Sequence, residues 1–392
     1  MEVWKSYRLG DVINVLDYKR IPLSSKERGM RKGVYPYYGA QGIIDYIDDF
    51  IFNGEYLLIA EDGENLKSQK QNIAQIAKGK YWVNNHAHIV ESNGKCDIRY
   101  ICYLLNSMDL SGYITGSAQP KLNQANLLAI ELRLPSLSTQ IRFSDFLSRF
   151  DDKIALNNRI NHNLEEQAQA LYKSWFVDFA PFMDERFVDS ELGMIPEGWH
   201  VGTLSELGDI VAGGTPSKAK PEYYTNNGIA WLTPKDLSVK CNKFTSRGET
   251  DITEEGYKNS SAKLMPRGSI LFSSRAPIGY ISIAKGNICT NQGFKSVVPR
   301  YAGTAYLYYW LKEHTGAIEA QASGSTFKEA SGSLMKSFPA IVPVKSVLDS
   351  FEKELAPILN EQEILEEEIF HAEQIRDSIL PRMMSGEIVI NC

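Results

Sequence analysis

Residues 143–175, FSDFLSRFDDKIALNNRINHNLEEQAQALYKSW, decide the architecture. Phe143, Leu147, Phe150, Ile154, Asn157, Asn161, Leu164, Ala168, Leu171 and Trp175 follow one another at alternating steps of four and three. That is the a/d seam of a heptad helix, interrupted by two asparagines. Moving on by 208 residues gives Phe351, Leu355, Ile358, Gln362, Leu365, Ile369, Ala372, Arg376 and Ile379, the same seam in the same register. Two equivalent long helices are predicted. At about 1.5 Å per residue the first seam is roughly 48 Å long, which suits a spacer better than an ordinary core helix. Matched registers point to two helices packed antiparallel on each other about an internal two-fold. The competing arrangement, each seam packed on its own globular neighbour, leaves the shared register without a purpose. The first helix is expected to stop before Ala180-Pro181 and the second at Leu380-Pro381. Ser346-x-x-Asp349 reads as a capping box for the second, and Pro357 is expected to kink its early turns. Asn157 and Asn161 either set helix register or mark a local break.

The repeat extends beyond the helices. GSAQPK, from Gly116, and GSTFKE, from Gly324, are Gly-Ser turns that each carry a lysine, followed by Leu134-Pro135 and Val342-Pro343. Leu9-Gly10-Asp11-Val12 recurs as Leu207-Gly208-Asp209-Ile210, Asn85 as Asn291, and Tyr100/Tyr103 as Tyr306/Tyr309. The offset grows from 198 through 206 to 208, as small loop insertions would make it. A period near 200 residues is too long for a solenoid and suits a duplicated domain with its connector. The predicted fold class is therefore mixed α+β (α/β), with two similar globular domains separated by two long antiparallel coiled-coil helices and related by a pseudo-two-fold. The expected boundaries are 1–135 for the first globular domain, 136–181 for the central helix, 182–343 for the second globular domain and 344–392 for the C-terminal helix.

Charge separates along the same lines. Residues 1–135 are close to neutral at +1 and 196–343 carry +4, whereas 136–195 carry −4 and 344–392 carry −7, for a net charge of −6. The globular regions are mildly basic and the helices acidic. Such a balance argues against a non-specific nucleic-acid coat, whose affinity rests on many neutralised phosphates. It leaves room for two locally basic readers. KRIPLSSKERGMRKG (19–33) concentrates Lys19, Arg20, Lys26, Arg28, Arg31 and Lys32, and its counterpart GGTPSKAKP (213–221) offers Thr215, Ser217, Lys218 and Lys220. Loops of this kind reach phosphates and base edges. Lys121 and Lys328 of the two Gly-Ser turns, Lys235 and Arg275 complete the candidate DNA contacts. The run EQEILEEEI (361–369) reads as partner-facing or simply solvated, with solvation preferred.

Composition and missing signatures exclude several function classes. With 43% hydrophobic and 23% charged residues the chain is an ordinary globular protein, and no apolar run approaches the roughly 18 residues that span a bilayer. The start, MEVWKSYRLGD, lacks the apolar core of a signal peptide, so a cytoplasmic protein without membrane contact is expected. The five cysteines, Cys96, Cys102, Cys241, Cys289 and Cys392, form no C-x-x-C pair and read as reduced thiols. No G-x-x-x-x-G-K-[ST], G-x-G-x-x-G, H-E-x-x-H or G-x-S-x-G occurs, and none of the 16 prolines adjoins another. The Pro-Pro tetrapeptide of amino-methylating DNA enzymes is thereby absent. His86-x-His88 lacks a third ligand nearby in sequence, so no metal site is assigned. Catalytic residues and cofactors are expected to be absent from this chain.

The junction ALYKSWFVDFAPF (170–182) with DSELGMIPEGW (189–199) resembles that of the specificity subunits of type I restriction–modification systems. GSAQPKL with LPSLSTQ (134–140), GGTPSKAKPEYY (213–224) with IAWLTPKDL (229–237), and ILPRMMSGEI (379–388) are also similar to that family, so the likeness spans essentially the whole chain. A departure is the lead-in to the second helix, IVPVKSVLDSF, where the family has a Leu-Pro-Pro-like stretch. The resemblance implies a non-catalytic subunit whose two target-recognition domains each read one half of a split double-stranded DNA target. It implies that the helix pair fixes the gap and docks two methyltransferase subunits carrying S-adenosylmethionine, joined by ATP-using restriction/translocation subunits. Two rivals stand beside it. A self-sufficient DNA methyltransferase requires the missing motifs, and a coiled-coil scaffold without DNA readout requires no basic loops.

Overall fold

The computed structural model describes residues 4–116, 119–239, 242–275, 277–324 and 328–388. Cys241 and Cys392, together with residues 117–118 and 325–327 inside the two Gly-Ser turns, lie outside the described residues. Two compact units divide the chain, Met1–Ile154 with His371–Cys392, and Ala155–Phe370. Each combines one globular region with one end of both long helices.

The first unit contains strands β1 (Lys5–Arg8), β2 (Ile13–Val15), β3 (Lys32–Gly39), β4 (Gly42–Ile47), β5 (Phe52–Ala60), β6 (Ala74–Val83) and β7 (Ala87–Ser92). Helix α1 (Ile98–Ser107), helix α2 (Gln124–Ala129), strand β8 (Glu131–Leu134) and the long helix α3 (Leu137–Phe176) follow. The main sheet has the order β2-β7-β5-β6-β3-β4, and β1 pairs separately with β8. Its centre is β5, whose alternation buries Leu57 and Ile59 against the helical layer and Leu58 against Ala77, Tyr81 and Ile89 on the opposite face. Helix α1 begins where the Asp97 carboxylate accepts the Tyr100 N–H at 2.8 Å, and it buries Tyr100, Ile101, Leu104 and Leu105.

The second unit repeats this plan with β9 (His200–Thr203), β10 (Gly208–Ala212), β11 (Phe244–Thr245), β12 (Ile270–Ser274), β13 (Ile278–Ala284) and β14 (Lys295–Pro299). Helix α4 (Thr304–Gln321), helix α5 (Gly332–Ser337), strand β15 (Pro339–Val342) and the long helix α6 (Lys345–Met384) complete it. The sheet order β10-β14-β12-β13-β11 matches β2-β7-β5-β6-β3, and β11–β13 is parallel as β3–β6 is. The helices α2 and α3 and the strand β8 recur as α5, α6 and β15 with both ends displaced by the same 208 residues. The duplication inferred from short motifs is thus a duplication of whole elements.

Every seam position named above is buried or half-buried. The helices run antiparallel, since Asp151 meets Arg376 at 2.6 Å within the first unit, while Asn157 meets Glu368 at 2.8 Å and Phe351 packs on Trp175 and Phe176 within the second. Asn157 donates across the pair, and α3 continues unbroken through both asparagines, so this residue ties the register and marks no break. The seams also enter the globular cores, Phe143 and Leu147 beside Tyr100 and Met383, and Phe351 and Leu355 beside Tyr306 and Leu348. Helix-on-helix and helix-on-domain packing therefore coexist.

Three expectations about α6 are corrected. Helix α6 starts at Lys345, so Ser346 lies inside its first turn and is no cap, and Asp349 pairs instead with Lys345 at 2.7 Å. It continues past Leu380-Pro381, where a stop was expected, to Met384. Pro357 lies within this helix and is exposed. The acidic run is not merely solvated: Glu363 pairs with Arg267, Glu367 with Lys285, and Glu366 accepts the backbone N–H groups of Lys243 and Phe244 at 2.8 and 3.1 Å. Among the described residues, no helix is long and apolar enough to cross a membrane. Cys96, Cys102 and Cys289 are buried free thiols, and burial pushes each one upward, Cys96 to about 11 and the other two to about 12.

Candidate nucleic-acid interface

In each unit the same three chain segments converge at one end of the main sheet. The Glu61 N–H bonds the His86 carbonyl at 2.9 Å and the Leu122 N–H bonds the Glu61 carbonyl at 2.8 Å. The Ser274 N–H bonds the Gly293 carbonyl at 2.7 Å and the Ala330 N–H bonds the Ser274 carbonyl at 2.9 Å. Asp62 faces Lys121 across an isolated antiparallel bridge, as Arg275 faces Glu329, and the Gly-Ser turns are closed by Thr115 with Lys121 and Ser323 with Glu329. Backbone bonds fix this frame, which leaves its side chains free to differ.

In the first unit Arg20 lies within the frame. It donates to Glu61 at 2.7 Å and to the carbonyls of Asn85 and Ala87, and pairs with Asp17 at 3.2 Å. Lys121 reaches the other Glu61 oxygen at 3.2 Å, and His86 meets Asp62 at 2.7 Å. Burial pushes the Glu61 carboxyl up, but Arg20, His88 and Lys121 together hold it below the usual carboxylate range. Asp17, Glu61 and His88 lie close enough to suggest a metal cluster. Geometry favours an ion network instead. The two His88 nitrogens lie against the Asp17 carboxylate at 2.6 Å and the Leu122 carbonyl at 2.8 Å, so both are already engaged within the protein. The Arg20 guanidinium supplies the positive charge.

The rest of the 19–33 segment is separate. It is no open loop, because Ser24 and Glu27 cap a short helix at Ser25–Met30 and β3 begins at Lys32. Arg28 and Lys32 bind Asp45, and Arg31 binds Asp48 and Asp49, all on or beside the β3–β4 hairpin. Arg28 also lies over the Tyr37 ring and Arg31 over that of Trp82. Lys19 and Lys26 are exposed, Lys19 beside the ring of Tyr18.

In the second unit Thr215 donates to Gln292 of the Asn291–Gly293 loop, and Arg275 pairs with Glu329 at 3.4 Å across the bridge. Glu329 also binds Lys295 at 3.1 Å. Lys235 pairs with Glu249 at 3.1 Å beside Pro234, which packs on Gly293. Ser217 and Lys218 stand exposed at the tip of the 213–221 loop, Lys220 turns onto Tyr223 at 2.8 Å, and Lys328 is exposed. Asp62, His86, Gln292 and Glu329 belong to the frame but escaped the search for basic residues. The recurrence of Asn85 as Asn291 pointed to the loop of His86 and Gln292, but the structure matches Asn291 with Asn84, since these two side chains accept the N–H groups of Gly293 and His86, both at 2.8 Å.

The glycines of GGTPSKAKP press this loop against its neighbour. A Cβ on Gly213 would lie 1.9 Å from the Asn291 carbonyl oxygen, backbone against backbone. Gly213→Ala is expected to destabilise the second unit by about 1–3 kcal/mol, as other overpacked sites are destabilised. Urea unfolding checks this, and an unchanged midpoint would refute the tight docking of the two loops.

Comparison with known proteins agrees with this geometry. The profile of the "Type I restriction modification DNA specificity domain" matches residues 1–166 and 196–366, one copy over most of each half of the chain. The type I restriction enzyme MjaIX specificity subunit of Methanocaldococcus jannaschii is 37% identical over 193 residues, 47% of this chain and 44% of that protein, so the match spans under half of that relative. The type I restriction enzyme HindI specificity subunit of Haemophilus influenzae is 26% identical over 86% of this chain and 84% of its own length. The crystal structure of a type I restriction-modification system S subunit from M. genitalium shares the fold, with a TM-score of 0.66 at 13% identity over 100% of this chain and 97% of that one. With the profile matched in both halves, the chain belongs to the type I restriction–modification DNA specificity family.

Proposed function

We propose that this chain is the non-catalytic DNA-reading subunit of a type I restriction–modification complex, each globular region reading one half of a bipartite double-stranded target. The duplicated loop frame carries this reading: two copies of one backbone scaffold, Asp62/Lys121 and Arg275/Glu329, present different polar side chains at matched positions. Two readers of that kind suit two different half-sites. The helix pair sets the gap between the half-sites and docks two methyltransferase subunits. Those partners hold S-adenosylmethionine, and restriction/translocation subunits that use ATP join them. A coiled-coil scaffold without DNA readout gives no reason for the frame.

Coexpression with the methyltransferase subunits followed by sequencing of modified adenines tests the reading. The expected result is one split motif with a constant gap, present only when this chain is present. A methylation pattern indifferent to this chain, or methyl transfer by the purified chain alone, would overturn it.

A further inference from the structure

The two frames are alike in backbone and inverted in charge. Position 62 carries an aspartate where its counterpart 275 carries an arginine, and position 121 carries a lysine where its counterpart 329 carries a glutamate. The loop facing this bridge carries His86 in one unit and Gln292 in the other; by its backbone bonds His86 matches Gly293, so Gln292 stands one position before the match. These side chains are accessible. His86 and Lys121 are 50% and 52% exposed, and Arg275 is 37% exposed. Each cation is also steadied by a carboxylate, Lys121 by Glu61 and Arg275 by Glu329. A core requirement does not explain the inversion, because both arrangements satisfy the same backbone bridge.

We propose that Asp62, His86 and Lys121 in the first unit, and Arg275, Gln292 and Glu329 in the second, are the specificity-determining positions of the two readers. Lys121 and Arg275 are the donors to a guanine edge, placed at opposite members of the same bridge. This rests on the reading of the chain as a DNA-specificity subunit. In the major groove guanine offers two acceptors, O6 and N7, which suit a lysine or an arginine, whereas a carboxylate accepts from cytosine. Inverting the pair within one frame therefore exchanges donor and acceptor positions along the groove without rebuilding the fold. The carboxylate beside each cation holds the donor in place and makes ordering it on the bases less costly.

The test is made in the assembled complex with its methyltransferase subunits, by mapping methylated sites. The wild-type map comes first. If it contains no split motif dependent on this chain, the underlying reading fails, independently of these residues. Given a split motif, the exchange Asp62→Arg with Lys121→Glu is expected to change the bases preferred in one half-site, leaving the other half-site and the gap as they were. Arg275→Asp with Glu329→Lys is expected to change only the other half-site. An unaltered motif in an active exchange complex would overturn the proposal, and so would a change in both half-sites from one exchange. Where an exchange prevents assembly, Lys121→Gln and Arg275→Gln replace it. Each is expected to relax discrimination at one base pair by roughly 5- to 150-fold, the range for losing one good base contact. Uniformly weaker methylation with discrimination intact would assign these cations to phosphates instead and sink the proposal.

Discussion

Glu165→Gln is expected to lower the stability of the second unit by about 3 kcal/mol, the low end for a buried pair that loses one member. Lys243 is enclosed between the globular region and both helices, its ammonium 2.7 Å from Glu165, 2.7 Å from Gln362 and 2.6 Å from the Tyr309 hydroxyl, over the rings of Tyr308 and Tyr309. Burial pushes Lys243 down to about 8 despite the pull of Glu165. Burial pushes Glu165 up, yet Lys243 and Lys312 outweigh it and hold the carboxyl at about 2. The sign follows for each group. The Glu165 contribution is present above pH 4.5 and is lost as pH falls towards 2. For Lys243 the folded value lies below the ordinary 10.5, so its burial cost is present below about pH 8 and is relieved as pH rises towards 10.5. The Glu165→Gln variant should therefore regain part of its lost stability between pH 7 and pH 9.5, measured by urea unfolding. Glu165→Leu combined with Lys243→Met should be less destabilised than Glu165→Gln, because no unpaired charge remains. A loss below about 1 kcal/mol with no recovery at high pH would show that this cluster does not pin the globular region to the helices.

The acid partners in that cluster explain much of what the sequence concealed. Arg267 and Glu363 are 96 residues apart, and Lys243 and Glu366 are 123 apart, so a run of glutamates read locally looks solvated. The same blindness affected the basic 19–33 segment. Its partners Asp45 and Asp48 lie 13 to 17 positions downstream and approach only because β3 and β4 pair as a hairpin. The helices were legible for the opposite reason. A heptad seam is local periodicity, and its 208-residue recurrence located α3 and α6 before any fold was known. Helix ends were less legible, since Pro357 and Pro381 carry a local penalty that packing of the seam overrides. Strands as short as Phe244–Thr245, paired in parallel with Ile283–Ala284, leave almost no local trace. The loop frame fell between these cases. Its lysines and Arg275 were visible as charges, whereas Asp62 and Glu329 gained meaning only from the bridges opposite them.

The final expectation concerns the gap between half-sites. Adding one heptad to each helix, after Ile154 and after Phe370, leaves Asp151–Arg376 intact within one unit and Asn157–Glu368 intact within the other. Seven residues preserve the seam and lengthen each helix by about 10.5 Å. At roughly 3.4 Å per base pair, the methylated motif of the engineered complex should keep both half-site sequences and gain about three base pairs between them. Each added pair turns the duplex by about a tenth of a revolution, so the second reader must follow a rotated groove and some affinity is lost. Two residues added to each helix in place of seven would turn the apolar stripe by about 200° away from its partner and should prevent assembly. Lengthening only one helix should do the same, since the other cannot follow. The decisive measurement is a methylation map with the gap left unspecified. An unchanged gap in an assembled and active heptad variant would mean that the seams hold the domains together without measuring the distance between their half-sites.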